Sequence, residues 1–231
     1  MHSWKSRLIN SIAVCVCSQT GCADNESSIF IRQVIHPGTD CVLVADPSGL
    51  ARSKGVLDVA LVREYKAGLL IGNQLVSRAS SDELRTETAA FRAEGIEARV
   101  EKDDMVFGEF STAVHGFVWP GTSGSPGWGS VSGVMVDVSS SESIKKKYAD
   151  NGVISGVKRV ETVVKVFGHT LGGQKIDSGE FRFPVDVCYG CLVGADVDAG
   201  GDAEKSVTCI MGQDDLVSLT ACREAGFPYC Q

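Results

Sequence analysis

The sequence predicts an all-β protein, in which an antiparallel β-sandwich of immunoglobulin-like architecture spans residues 29–193 and a disulfide-rich tail spans residues 194–231. Two observations support this prediction. Apolar and polar residues alternate with a period of two in several short runs, as in antiparallel strands that bury one face. Five cysteines lie within the last 44 residues, which indicates that disulfide bonds stabilise the C-terminal region.

The alternation is clearest in residues 57–62, 159–166 and 181–187. Gly172-Gly173 lies between the last two runs, and this pair is favoured in two-residue hairpin turns. Pro184 has no amide hydrogen, so its strand is expected at a sheet edge or with a bulge at that residue. Further strands are expected at residues 30–36, 41–45, 68–76, 107–118 and 130–138, and one short helix at residues 141–149.

Residues 80–101 fit two interpretations. Residues 80–83 resemble a capping box, which would begin a helix that ends at Gly95. The alternative is a long strand, whose apolar residues change from odd positions such as Phe91 to even positions such as Ile96. A β-bulge at Gly95 explains that change in one step, so the bulged strand is the favoured prediction.

Residues 1–21 have the organisation of an export signal. A positively charged start precedes residues 8–17, an apolar run that is too short to span a bilayer as a helix. Small and polar residues then lead to Cys22, as in bacterial lipoprotein signals, although Gln19 replaces the usual leucine. We therefore expect a signal peptide, lipidation of Cys22, and a polar tether over residues 22–28. The alternative is an ordinary cleaved secretory signal.

The cysteines that follow Cys22 are even in number, which predicts a disulfide framework in an exported chain. They are Cys41, Cys188, Cys191, Cys209, Cys222 and Cys230. Cys41 must reach across the fold to join the others, and the spacing does not select one pairing. The alternative is zinc, because Cys188 and Cys191 have the spacing of metal ligands, but a second closely spaced pair is missing.

Charge excludes some classes of partner. Without residues 1–21 the chain keeps 20 basic and 29 acidic residues, a net charge of −9, which argues against nucleic acid and against electrostatic docking on anionic lipid.

The acidic residues of the segment 194–205 lack the complete pattern of a calcium loop. His36, His115 and His169 fall on separate predicted elements. We therefore expect no metal and no cofactor.

Residues 120–126 resemble the nucleophile loop of chymotrypsin-like proteases, with Ser123 as the nucleophile and His115 in a segment like that of the base. The spacing contradicts this interpretation, because that family places histidine and serine in different barrels with an aspartate between them. Only Glu109 or Asp137 could supply the acid from a neighbouring strand. The favoured interpretation is a Gly/Ser/Pro loop that joins two strands, without catalytic residues.

Trp119 and Trp128 lie on either side of this loop. Aromatic side chains on an exposed loop stack on sugars or anchor protein partners, because they offer a large contact area at a small entropic cost. The two tryptophans are therefore candidate ligand-binding residues. The alternative is that they fill the end of the apolar core.

Three segments carry a resemblance to known sequences: residues 57–75, 85–88 and 179–191. These segments are similar to uncharacterised bacterial lipoproteins, and the likeness covers most of the chain after the signal. The resemblance implies an exported all-β lipoprotein with a cysteine-rich C-terminus, and it transfers no catalytic residue. We expect a non-enzymatic cell-envelope lipoprotein, held at a membrane by its lipid anchor and facing the periplasm or the exterior. It would be a structural component or a binding module for a protein or glycan. An exported hydrolase with an unrecognised site is the alternative.

Overall fold

The structure, a computed structural model, describes residues 27–38, 40–80, 85–194 and 209–231. The expected signal peptide, Cys22 and most of the acidic segment lie outside the described residues. The protein is mostly β, with 52% strand and 11% helix, which confirms the all-β prediction. No helix in the described part of the chain is long and apolar enough to cross a membrane.

Strands and helices follow one another in this order: β1 (Ile29–Ile35), β2 (Ala51–Arg52), β3 (Gly55–Asp58), β4 (Tyr65–Asn73), β5 (Phe91–Lys102), β6 (Met105–Val118), β7 (Gly127–Val136), α1 (Val138–Tyr148), β8 (Ala149–Asp150), β9 (Val153–Ile154), β10 (Lys158–Thr170), β11 (Lys175–Asp177), β12 (Phe181–Cys188), β13 (Val193–Gly194), β14 (Val217–Ser218) and α2 (Leu219–Glu224). A short 3-10 helix at Pro228–Cys230 ends the chain.

Two sheets form the body of the molecule. The smaller sheet has the strand order β2-β1-β4-β7, and the larger has the order β3-β12-β10-β5-β6, with β11 added to β10. All of these pairings are antiparallel except that of β3 with β12. One sheet curls into a half-barrel.

Both sheets contribute to one buried apolar cluster. Leu69 and Ile71 from the smaller sheet share it with Ile96 and Val164 from the larger sheet. The helix α1 adds Ile144 to the same cluster. This is the expected result of period-two strands, whose alternate side chains reach the same face.

The bulge predicted at Gly95 is present. Pairing of β5 with both neighbouring strands shifts register between Ala93 and Gly95, and the apolar residues on both sides of the shift are buried. A Cβ atom at Gly95 would overlap the ring of Phe167 on the adjacent strand. Gly95 therefore allows close packing against Phe167 and also lets the apolar residues change from odd to even positions. The strand begins at Phe91, later than the sequence suggested.

The strand predicted at residues 41–45 is wrong. This segment has no regular structure, and Val42 and Val44 are 52% and 63% exposed. Their alternation therefore does not reflect a buried sheet face. The predicted helix is confirmed, but it begins at Val138, because the side chain of Asp137 accepts a hydrogen bond from the backbone amide of Ser140 and caps the first turn.

Pro184 lies on a strand that has a neighbour on each side, and thus not at a sheet edge. The neighbour β3 pairs only with residues from Val185 onward, so the proline nitrogen meets no partner strand on that side. The missing amide hydrogen consequently leaves no unpaired acceptor in that ladder. The turn at Gly172-Gly173 is also present, but it joins β10 to the added strand β11.

The C-terminal tail packs on the body formed by the two sheets through a second, smaller apolar cluster. Leu61 contributes to it together with Val217, Cys222 and Cys230.

Ser27 and Ser28 are the last two residues of the expected N-terminal tether, and both are hydrogen-bonded to the sheets. The hydroxyl of Ser27 donates to the carbonyl of Asp177, and the carbonyl of Ser28 accepts from the amide of Gln74.

Candidate binding site

A buried amide organises one end of the molecule. Asn73, the last residue of β4, is fully buried. Its Nδ2 donates to the carbonyl oxygens of Ala89 at 3.0 Å and Val118 at 3.1 Å. Its Oδ1 accepts from the amide of Leu75 at 2.9 Å. One side chain therefore joins the end of the smaller sheet to β6 of the larger sheet and to the segment that precedes β5.

An open groove of about 760 Å³ lies at this end. Residues 74–78 form one wall, and Thr88, Ala89, Thr170, Gly172 and Gln174 form the rest. Its polar lining consists of Gln74, Ser77, Arg78, Thr88, Thr170 and Gln174. The amide and hydroxyl groups of these side chains both donate and accept hydrogen bonds, and the guanidinium of Arg78 donates them.

Glu87 holds the wall at residues 77–79 in place. Its carboxylate accepts from the hydroxyl of Ser77 at 2.6 Å and from the backbone amides of Arg78 and Ala79 at 3.2 and 3.4 Å. It also accepts from the amide of Ala89. Desolvation opposes ionisation, but these hydrogen bonds outweigh it and lower the pKa of Glu87. The groove thus has one wall fixed before any ligand arrives.

The loop that carries Trp119 adjoins the groove. The amide of Gly121 donates to the carbonyl of Leu75 at 2.9 Å, and the amide of Ser77 donates to the carbonyl of Gly121 at 3.3 Å. Trp119 itself is 60% exposed, and its ring packs against Phe117 with centroids 5.5 Å apart. The pair forms an exposed aromatic surface next to a loop that is hydrogen-bonded to the wall of the groove.

Trp128, the second candidate, has a different environment. Its half-buried indole meets the ring of Phe30 edge-on, with centroids 5.7 Å apart. The guanidinium of Arg32 lies 5.5 Å from its centroid, within range for a cation–π contact. The indole of Trp128 is therefore already engaged within the protein, whereas that of Trp119 is largely free to meet a ligand.

Ser123 lies at the tip of a tight turn. Thr122 and Ser125 exchange two backbone hydrogen bonds, of 3.0 and 3.2 Å, and Gly124 between them has φ = +100°. His115 is exposed on β6. Of the acids considered, Asp137 is committed to capping α1. Among the described residues, no hydrogen bond joins Ser123 or His115 to a carboxylate, so the turn offers no assembled proton relay.

The other two histidines lie elsewhere. His169 Nδ1 is 2.9 Å from the carboxylate of Glu94, which the bulge in β5 places on an exposed face. His36 Nδ1 is 2.6 Å from the carbonyl of Pro37. The structure does not bring the three histidines into one site.

The disulfide framework predicted from the sequence is confirmed. The pairs are Cys41–Cys209, Cys188–Cys191 and Cys222–Cys230. Cys41 does join a C-terminal cysteine, which lies 168 residues later in the chain.

The described residues contain one group with metal-ligand spacing, which consists of Asp58, Cys188 and Cys191, with ligand atoms within 4.8 Å of one another. Two of these three ligands are bonded to each other as a disulfide. The buried carboxylate of Asp58 instead accepts from the backbone amides of Gly190 at 2.7 Å and Leu192 at 2.9 Å. The carboxylate therefore serves to hold the turn at residues 188–192 against the end of β3.

The structure also reveals a buried polar cluster that the sequence did not suggest. Tyr65 is fully buried, and its hydroxyl donates to Oδ2 of Asp214 at 3.1 Å. Arg52 Nε lies 3.5 Å from the same oxygen. Burial raises the pKa of the Asp214 carboxyl, and burial followed by the charge of Asp214 raises that of the Tyr65 hydroxyl. The cluster borders a cavity of about 200 Å³ between β1, β4 and residues 209–215.

Sequence reasoning missed this cluster because its members lie far apart in the chain and in no shared motif.

Comparison of the chain with models of protein families and with curated proteins finds no match. The site must therefore be interpreted from its own chemistry.

Proposed function

We propose that this protein is a non-enzymatic binding module of the bacterial cell envelope, anchored by lipid at Cys22. One observation carries the binding function: the exposed ring of Trp119 beside Phe117, on a loop that is hydrogen-bonded to the wall of a polar groove. Large aromatic surfaces with little conformational freedom are effective binding residues.

The location rests on the cysteines and on the N-terminal pattern. All six cysteines after Cys22 are paired, and disulfides persist in oxidising compartments outside the cytosol. The resemblance to uncharacterised bacterial lipoproteins supports the same placement. Lipoprotein processing adds several acyl chains, and two or more chains give stable attachment where one gives marginal attachment.

The chemistry of the groove favours a glycan as ligand. Sugars present hydroxyl groups that donate and accept hydrogen bonds, and the amides of Gln74 and Gln174 and the hydroxyls of Thr88 and Thr170 match them. Their C–H faces stack on aromatic rings such as that of Trp119. A net charge of −9 after the signal disfavours nucleic acid.

The finer fold assignment belongs to the same proposal. Two largely antiparallel sheets that share one core support an immunoglobulin-like sandwich. In such sandwiches the loops cluster at the two ends, and the groove with its aromatic loop occupies one end here.

The test is binding of the purified protein to an array of bacterial envelope glycans that includes peptidoglycan fragments. Trp119→Ala should weaken binding at least about tenfold, equivalent to about 1.4 kcal/mol. Trp128→Phe is the matched control, because its ring is already engaged, and it should bind like the wild type. Equal binding by the wild type and Trp119→Ala would contradict the proposal. Absence of glycan binding, together with a protein crosslinked through position 119, would assign the surface to a protein partner.

A further inference from the structure

The disulfide Cys188–Cys191 differs from the other two in what it can contribute to stability. It closes a loop with a sequence separation of 3, whereas Cys41–Cys209 spans 168 residues. In the chain-entropy model, a bond that closes a short ring restricts the unfolded chain much less than a bond that closes a long loop. Stabilisation of the fold therefore explains the presence of Cys188–Cys191 less well than that of Cys41–Cys209.

The turn that contains this disulfide is held by other bonds. The carboxylate of Asp58 accepts from the amides of Gly190 and Leu192, and the amide of Val59 donates to the carbonyl of Cys188 at 2.9 Å. Gly190 has φ = +72°, which glycine adopts without strain. Opening the sulfur–sulfur bond would therefore leave the backbone of the turn in place.

The two cysteine residues have unequal access to solvent. Cys191 is exposed, whereas Cys188 is 1% exposed. The Sγ atom of Cys188 lies 3.6 Å from the carbonyl oxygen of Leu57, which can accept a hydrogen bond from a thiol. The site thus offers one sulfur to an attacking group and a partner for the other sulfur after it is released.

We propose that Cys188–Cys191 is a redox-active disulfide that exchanges with thiols, an activity separate from binding at the groove. A thiolate of the reductant attacks Sγ of Cys191, the sulfur–sulfur bond breaks, and Cys188 leaves with the electron pair and takes up a proton. A second thiolate of the reductant then attacks the mixed disulfide and releases Cys191, which also takes up a proton. The two thiols are oxidised to one disulfide, and their two protons end on Cys188 and Cys191.

The rim of the site gives a partner something to contact. The ring of Tyr189 meets that of Tyr229 edge-on, with centroids 5.4 Å apart, and Lys145 Nζ lies 5.5 Å from the centroid of Tyr189.

The test equilibrates the full protein in glutathione redox buffers, followed by alkylation of free thiols and peptide mapping. The pair Cys188–Cys191 should open and close reversibly while the other two disulfides stay oxidised and the near-UV circular dichroism of the fold is retained. Opening of this pair only in denaturant, or together with the other pairs, would overturn the proposal.

Two variants test the direction of attack. Cys188→Ser leaves the exposed Cys191 free and should form a mixed disulfide with glutathione at least about tenfold faster than Cys191→Ser, which leaves the buried sulfur. Equal rates would contradict attack at Cys191. The wild-type measurement stands even if either variant fails to fold.

Discussion

The hydroxyl of Tyr65 donates a hydrogen bond to Asp214, a residue 149 positions later in the chain, with 3.1 Å between Oη and Oδ2. The same carboxylate accepts from the amide of Val56 at 2.8 Å. Because all three groups are largely shielded from water, this contact fixes the segment after Cys209 to the body of the fold.

Tyr65→Phe should destabilise the protein by about 1–3 kcal/mol, because it leaves a buried carboxylate short of one donor while keeping the ring in the core. Urea denaturation at neutral pH measures the free energy of unfolding. Tyr148→Phe is the matched control, since that ring packs on Phe107 at a half-buried position, and it should change stability by less than about 0.5 kcal/mol.

Acid should remove the contribution of Asp186. Its carboxylate lies 2.7 Å from Arg159 Nε and 2.8 Å from Lys54 Nζ, and its side chain is 8% exposed. The hydrogen bond from Arg159, with a smaller contribution from Lys54, outweighs desolvation and lowers the pKa of Asp186 to about 2. A lowered folded-state pKa gives stability that is present above about pH 4 and is lost as the pH falls towards 2.

Asp186→Asn should therefore lose about 1–2 kcal/mol at pH 7, and its stability should change less than that of the wild type between pH 4 and pH 2. Denaturant titrations across this range provide the measurement. Parallel pH profiles for the two proteins would show that the ion pairs do not stabilise the fold.

The tail should depend on its long-range disulfide. Replacing both Cys41 and Cys209 by serine removes a closure across 168 residues and should cost about 2–5 kcal/mol. Limited proteolysis should then cut within residues 209–231 before it cuts the strands. The double variant of Cys188 and Cys191 is the control, and it should keep the tail resistant. Early cleavage in β4 or β10 instead would mean that the bond stabilises the whole fold.

Cys22→Ser should abolish membrane association without unfolding the protein, because acyl chains on that cysteine are expected to provide the attachment. Fractionation of cells that express the wild type or the variant measures it. A variant that still pellets with membranes would contradict the lipoprotein interpretation.

Ser123 should not react as a nucleophile. An activated serine needs a base within hydrogen-bonding distance and an orienting third group, and Ser123 lies on a tight turn without them among the described residues. A fluorophosphonate probe should label the wild type no more than Ser123→Ala. Labelling that disappears in the variant would favour the hydrolase.

The success of the bulge prediction and the failure at residues 41–45 have the same origin. Alternation reports which side chains share a strand face, and at Gly95 it changed in a way that one extra residue explains in a single step. At Val42 and Val44 the same alternation occurs without burial, because no strand in the described part of the chain pairs with that segment. Periodicity by itself does not reveal whether a partner strand exists.

Long-range features escaped prediction for a different reason. The cysteine count indicated full pairing, but only the fold brings Cys41 to Cys209. The contact of Tyr65 with Asp214 and the groove lined by Gln74 and Gln174 depend on how the sheets meet, which no local pattern encodes. Trp119 is exposed and Trp128 is half-buried, and the sequence did not reveal this difference because both residues flank the same loop.

The bond between Cys41 and Cys209 also determines how the folded chain would respond to tension. A pull applied between residue 27 and residue 231 passes directly across the bond, so the residues between the two cysteines lie outside the path of the force. Only β1 and the segments on either side of the bond can lengthen, by at most about 3.5 Å per residue. The strands from β3 to β12 would keep their hydrogen bonds to one another under a load that extends the two ends.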